Sequence, residues 1–323
     1  MTTFVARYDF RAPGASPAQR QELFTRAVQQ ARHLDDNGYD AIVVSEHHAS
    51  PDGYLPSPLP VAAAFAAVTS RIPISVSALI LNLYDPIRVA EDMAVVDHLS
   101  SGRVSYTIGL GYRPDEYALY GRTWATRGKD LEHRLGQLLA AWSDDRTFPK
   151  PFSQPHPFLF YGGGTEIAAR RAGRFGLHFQ PQHGDAALVE AYEQECSDRG
   201  REPGMVLVPP KGPMVTFCTS NVDVFWEQFG SYLLADARGY AAWREDGHQS
   251  FVAEDATTVE ELRAGALYLV ATPDELIDRC RSGQIELVNS HPCCGGMPAE
   301  PSWESLRLLS GSVIPALRGA AHD

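Results

Sequence analysis

A chain of 323 residues with 44% hydrophobic and 21% charged residues has ample apolar surface for a core and lacks the charge excess of a disordered segment. Its formal net charge of −12, together with the absence of any run of three Lys or Arg, argues against a nucleic-acid surface. No window approaches the roughly 18 to 20 apolar residues of a membrane span, and Met1 to Phe10 shows no basic start followed by an apolar stretch, so no secretory leader is expected. The cysteines (Cys196, Cys218, Cys280, Cys293, Cys294) are odd in number and include an adjacent pair, a poor disulfide framework that points to a reducing, cytoplasmic compartment.

Short apolar runs alternate with amphipathic segments, the rhythm of parallel strands joined by helices. A strand is expected at 4–8 and a helix at 17–37, where Leu23, Ala27, Ala31 and Leu34 share a face and Gly38 supplies the stop. Ala41, Ile42, Val43 and Val44 are consecutively apolar, as in a strand covered on both faces. A Pro- and Gly-rich loop at 49–58 leads to an alanine-rich helix ending near Ser70. Then come a strand at 72–81, a helix at 86–99 opened by Pro86, and a strand at 103–110. A polar and aromatic connection at 111–128 precedes a helix at 130–142, with Leu131, Leu135, Leu138 and Trp142 at helical spacing.

Further on, strands at 158–161, 177–179 and 215–218 are each followed by helices, at 166–175, 185–199 and 222–240. Residues 241–266 are polar and irregular, the pattern of an insertion or lid. A helix at 273–281, an eighth strand at 285–288 and a closing helix at 302–317 complete the chain. Eight strand–helix units predict an α/β fold, a single (β/α)₈ TIM barrel over 1–323 with insertions in its βα loops and functional side chains at the C-terminal strand ends.

Glu46, His47 and His48 stand where the second strand ends. A histidine there can trade a proton near neutral pH, and a neighbouring carboxylate can fix its tautomer; the alternative is one imidazole packed in the core and one solvated. Adjacent residues of an extended chain face opposite ways, so the pair is not expected to share a metal ion. Gly162, Gly163, Gly164 and Thr165 join a strand to a helix, either as an anion site of backbone amides or as a plain tight turn. Gly109 and Gly111 end the fourth strand, where small residues admit a flat ligand, and Arg113 either reaches a phosphate or pairs with Asp115 or Glu116. Cys293 and Cys294 lack C-x-x-C spacing and read as an inert loop. His183 is a minor candidate because it follows the sixth strand.

Taken in order, these motifs resemble a known family. Ser45-Glu46-His47-His48, the run 85–92, Leu99-Ser100-Ser101-Gly102-Arg103, the run 109–121, the glycine turn and Ile314-Pro315-Ala316-Leu317 are together similar to the bacterial luciferase-like monooxygenases, over nearly the whole chain. The resemblance implies a (β/α)₈ barrel, often a homodimer, that binds reduced flavin mononucleotide (FMN) or the deazaflavin coenzyme F-420 at the strand C-termini. Many members take reduced flavin from a separate flavin reductase and use oxygen on an aldehyde, ketone, alkane or other small molecule. By this resemblance Glu46, His47 and His48 match the family's Glu-His-His, with His47 foremost as base or proton donor. Ser77 and Ala78 match a small pair that often forms a non-prolyl cis peptide under the flavin ring. Asn82, Gly109, Gly111, Tyr161 and the 162–165 turn complete the expected cofactor contacts.

Two positions depart from the pattern: Leu110 stands where the bacterial luciferase α subunit has an arginine on the flavin phosphate, and Gly109 stands where some luciferases have a reactive cysteine. Phosphate binding then falls on 162–165, with or without Arg113, and light emission is not expected. Three functions follow for comparison: an FMN-dependent monooxygenase, a deazaflavin-dependent hydride-transfer enzyme, and a non-catalytic flavin-binding subunit.

Overall fold

The computed structural model describes residues 2–144, 147–244 and 254–319. Strand β1 (Thr3–Tyr8) leads to helix α1 (Pro17–Asp36). That helix starts at Ser16, whose side chain accepts from the Gln19 amide while the Gln19 side chain accepts from the Ser16 amide, satisfying two orphan donors at once. Next come β2 (Ala41–Val44), α2 (Pro58–Val68), β3 (Ile74–Ile80), a 3₁₀ turn at Leu81–Leu83, α3 (Pro86–Ser100) and β4 (Val104–Gly109). Asp85 caps α3 by accepting from the Ile87 and Arg88 amides, and Ser101, in the left-handed region at φ 53°, ends it.

Helices α4 (Pro114–Leu119) and α5 (Arg127–Ser143) precede β5 (Phe158–Gly163), α6 (Glu166–Phe175), β6 (His178–Pro181) and α7 (Ala186–Asp198). The remainder comprises β7 (Val215–Cys218), α8 (Val222–Ala241), α9 (Val259–Ala264), β8 (Tyr268–Ala271), α10 (Pro273–Arg281), β9 (Leu287–Ser290), α11 (Ala299–Leu308) and α12 (Ile314–Arg318). A π-helical turn at Leu309–Val313 joins the last two helices.

The strand–helix alternation is the expected one, with five differences. The connection 111–128 contains α4, signalled by Pro114 at the first helical turn and by Asp115 and Glu116 beside the helix N-terminus. Strand β8 falls between the irregular stretch 241–266 and the helix at 273–281, where no element is expected, because four apolar residues carry no period of their own; the described residues therefore hold nine strands, not eight. The last strand sits two residues later than expected, and the closing helix begins at Ala299 and is broken by the π turn. Of the expected irregular stretch 241–266, residues 245–253 lie outside the described residues, and the rest includes α9 with its own capping box at Thr258.

The chain forms two compact units: Met1–Val43 with Ser50–Leu55 and Pro210–Asp323, and Val44–Ala49 with Pro56–Pro209. In the first unit β9 pairs in parallel with β1, from Thr3↔Leu287 to Ala6↔Ser290. It meets β7 at Thr216↔Ser290, and β7 pairs with β8 along its whole length. Phe217, Phe225, Trp226, Leu233, Tyr268 and Met297 pack together as the core of this unit.

In the second unit β3, β4, β5 and β6 are successive parallel neighbours, the order that short right-handed crossovers produce. Leu131, Leu135, Leu138 and Trp142 are buried on one face of α5, and the Trp142 indole donates to the Ala90 carbonyl of α3 at 3.1 Å. Each such leucine contributes about 1.5–3 kcal/mol by leaving water. Among the described residues no helix is long and apolar enough to cross a membrane.

Candidate active site

Just beyond β2 stand Glu46, His47 and His48, all buried, and the two imidazoles go to different carboxylates. His48 Nε2 lies 2.7 Å from Glu46 Oε1, which also accepts from the Tyr84 hydroxyl at 2.7 Å; Glu46 Oε2 accepts from the Ile80 amide at 2.8 Å. His47 Nδ1 lies 2.8 Å from Oε1 of Glu116, on α4. The carboxylate that fixes the His47 tautomer is therefore not its neighbour Glu46 but a residue 69 positions away.

Glu116 gathers several donors on one oxygen. Besides His47, its Oε1 accepts from the His48 amide at 2.9 Å and from Arg113 Nη1 at 3.1 Å. Burial alone would raise this carboxyl, but the His47 hydrogen bond and charge, the His48 amide and the Arg113 guanidinium outweigh it and hold the group below its usual value. Arg113 also donates to the His48 carbonyl at 2.6 Å, and its pairing with Glu116 is buried. Tyr112 sets its ring edge-on to His47 at 5.0 Å, and Tyr120 does the same to His48 at 4.8 Å.

The expected cofactor residues cluster at the C-terminal ends of β3 to β6. The Ser77–Ala78 peptide is cis, and β3 slips register there, so that Ala78 faces no β4 residue. A side chain at Gly109 would come within 2.7 Å of the Ala78 Cβ, which is why small residues occupy both places. Gly111 adopts φ +74°, a conformation that favours glycine. Asn82 donates to the Tyr117 hydroxyl at 2.9 Å and to the Arg127 carbonyl at 2.8 Å, and Tyr117 donates in turn to the Leu110 carbonyl. Consecutive residues of α4, Glu116 and Tyr117, thus tie the imidazoles to the ends of β3 and β4.

Tyr161 is buried on β5, its phenol pushed up to about 12 by burial against the pull of Arg171. Gly162, Gly163 and Gly164 run into Thr165, whose side chain caps α6 by accepting from the Ala168 amide at 3.3 Å. Glycine is required at 163, because a Cβ would lie 2.5 Å from that of Ala168. His183 is exposed, its Nε2 3.3 Å from the Gly164 carbonyl. Sequence reasoning missed Gln180, whose Oε1 accepts from Thr107 and lies 3.5 Å from the Ser77 hydroxyl; it also missed Tyr84 and Tyr120, and it named Glu116 as a partner of Arg113 but not of His47. Only Glu116 had a sequence signal, the acidic first turn of α4.

The other unit buries a second set of charges that sequence reasoning did not assemble. His291 Nδ1 is 3.1 Å from Arg7 Nη2 and its Nε2 is 3.1 Å from Asp9 Oδ1. Burial would raise the Asp9 carboxyl, but His291, Arg7 and Arg11 draw it well below the carboxylate range. Arg11 pairs with Asp52 at 3.0 Å and lies over the Tyr240 and Trp243 rings at 4.3 and 4.2 Å. Asp236, His291 and Cys294 offer ligand atoms within 4.8 Å of one another. Both ring nitrogens of His291 are nevertheless turned to Arg7 and Asp9, and a fixed guanidinium charge opposes a cation there. Cys293 and Cys294 are free and buried, and burial pushes the Cys293 thiol up to about 12, as befits unreactive thiols.

The model of the luciferase-like monooxygenase family matches residues 5–288. The chain belongs to this family. Among solved structures, the chain is similar to the monooxygenase RslO1 from Streptomyces bottropensis, with a TM-score of 0.75 at 20% identity, covering 98% of this chain and 100% of that one. It is also similar to the oxygenating constituent of 3,6-diketocamphane monooxygenase from Pseudomonas putida, solved in complex with FMN, with a TM-score of 0.68, 19% identity and coverage of 98% and 99%. At such identities the likeness is one of fold; it extends over nearly the whole chain and agrees with the α/β barrel class expected. By sequence, a stretch of 169 residues is 27% identical to the alkanal monooxygenase alpha chain of the Kryptophanaron alfredi symbiont, covering 47% of this chain and 45% of that protein. The chain thus spans less than half the length of that relative.

Proposed function

We propose that this luciferase-like monooxygenase uses reduced FMN and molecular oxygen to oxidise a small organic substrate, with His47 as its proton-transfer residue. The observation that carries the reading is the His47–Glu116 pair, held by α4 against the same strand ends that bear the cis Ser77–Ala78 bond and Gly109. A carboxylate only accepts, so in the neutral ring the proton rests on Nδ1 and Nε2 is the basic nitrogen. Because Glu116 is held below its usual value, it stays ionised near neutrality and stabilises the imidazolium formed when His47 takes up a proton.

The residues present suit FMN. The 162–165 turn offers backbone without side chains, and the first-turn amides of Glu166 and Ile167 lie outside the ladder of α6. Arg170 and Arg171 are already paired with Glu166 and Glu132, so backbone amides would carry the phosphate. Ser77, Ala78 and Gly109 would take the ring, with Asn82, Gly111 and Tyr161 behind them, and Glu46 and His48 would brace His47. When bound, reduced FMN supplies the electrons that activate oxygen. The family resemblance supports a separate flavin reductase as electron source and a homodimeric state, and the free cysteines suit a reducing, cytoplasmic setting.

Titration with reduced FMN and with reduced F-420, followed by oxygen consumption across a panel of aldehydes, ketones and alkanes, tests the reading. Oxygen uptake with reduced FMN alone is expected. Turnover with F-420 and no oxygen uptake would replace it by hydride transfer, and FMN binding without any turnover by a flavin-binding subunit. The variant His47→Ala is expected to bind FMN within about twofold of wild type and to turn over ~10²–10⁴ times more slowly; unchanged turnover removes His47 from the reaction.

A further inference from the structure

Glu46 and His48 are buried, whereas Tyr120, at the end of α4, is 43% exposed. The Tyr120 hydroxyl lies 2.9 Å from His48 Nδ1, His48 Nε2 lies 2.7 Å from Glu46 Oε1, and that same oxygen receives the Tyr84 hydroxyl. The proposed role of His47 leaves this second line of hydrogen bonds unused. We propose that Tyr120, His48 and Glu46 form a proton relay through which the buried Glu46 carboxylate exchanges protons with solvent, with the Tyr120 hydroxyl as the outer end. Only the use made of the proton rests on the oxidoreductase reading above.

Each hop is balanced and moves no electrons. Tyr120 passes its hydroxyl proton to His48 Nδ1 and takes one from an acid in solvent, and the resulting imidazolium releases its Nε2 proton to Glu46 Oε1. The same hops in reverse return the proton. The surroundings of His48 favour this traffic. Glu46 faces one ring nitrogen and Tyr120 the other, while the His48 backbone is pinned at its amide by Glu116 and at its carbonyl by Arg113, so the ring keeps one orientation. Tyr84 differs from Tyr120 in its partner: its hydroxyl donates directly to Glu46 Oε1, whereas that of Tyr120 meets His48 Nδ1, so Tyr84 serves as a donor to the carboxylate and not as a link to the imidazole.

The test uses ligand-free protein labelled with ¹⁵N-histidine. The rate at which the His48 Nε2 proton exchanges with water is read by NMR in wild type, Tyr120→Phe and Tyr84→Phe, with the resonance assigned by its loss in His48→Asn. Phenylalanine keeps the ring that meets His48 edge-on and removes only the hydroxyl. Exchange slowed roughly tenfold or more in Tyr120→Phe, the scale of one hydrogen bond lost, and within twofold of wild type in Tyr84→Phe, is the expected result; any other pattern overturns the relay. Because no cofactor enters this measurement, slowed exchange in a protein that fails to consume oxygen with reduced FMN would refute the proposed reaction and leave the relay standing.

Discussion

Each of the two compact units buries a histidine against carboxylates and an arginine, but the two sets are closed in different ways. Around His291, the side chains of Arg7, Asp9 and Asp236 are all at least nine-tenths buried, and Arg7 faces one ring nitrogen while Asp9 faces the other. A guanidinium only donates, so His291 Nδ1 accepts from Arg7 and the proton of the neutral ring rests on Nε2, facing the buried Asp9, which closes the cluster on both sides of the ring. Around His47 and His48 each imidazole keeps an acceptor carboxylate, Arg113 is confined to Glu116 and the backbone, and a half-exposed phenol leads outward. Similar residue types thus make a closed charge network in one unit and the proposed proton-transfer site in the other, and the difference lies in which groups face the ring nitrogens.

Three perturbations test this contrast. The largest effect is expected for Arg7→Met, which leaves Asp9 and Asp236 buried without their shared cation. Removing one partner of a buried ion pair costs about 3–5 kcal/mol, to be read from urea unfolding. A variant as stable as wild type would mean that the network is not a strut.

Next in size is Glu116→Gln, which keeps the volume and an acceptor oxygen but loses the charge. It is expected to lower kcat/KM ~10–100-fold, the value of a charge-assisted hydrogen bond, and to shift the pH profile of turnover, with a smaller loss of stability than Arg7→Met. Loss of stability without a change in the pH profile would reduce Glu116 to a structural role.

The smallest effect is in acid. Asp9 and Glu116 are both held below their unfolded values, which lie near 4. Their contribution to stability is therefore complete above about pH 4 and is lost as the pH falls through the folded values. Asp9→Asn should flatten the fall in stability below about pH 4 more than Glu116→Gln, because Asp9 is drawn further down. Chemical denaturation from pH 3 to pH 7 measures both slopes, and equal flattening would remove the distinction.

Much of the architecture was legible because it rests on local patterns. Pro86 at the first turn of α3, the apolar stripe of α5 and the consecutive apolar residues of β2 each declare an element within a few residues of its observed bounds. The glycine turn and the small pair at Ser77 and Ala78 were legible through the family resemblance, and Gly109 and Gly163 have the added reason of close approach to Ala78 and Ala168. The four-residue strand β8 was not legible, since a run that short has no period, and its pairing with β7 comes from neighbours distant in sequence.

By itself, then, the chain determined the alternation of strands and helices, the family, and which chemical groups stand at the end of β2. Only tertiary structure decided the partners. The sequence sets Glu46, His47 and His48 side by side, but whether His47 meets Glu46 or Glu116 depends on where α4 folds back across 69 residues. Which residue faces each ring nitrogen, and so whether a buried histidine can move a proton, is a property of packing that no local pattern encodes.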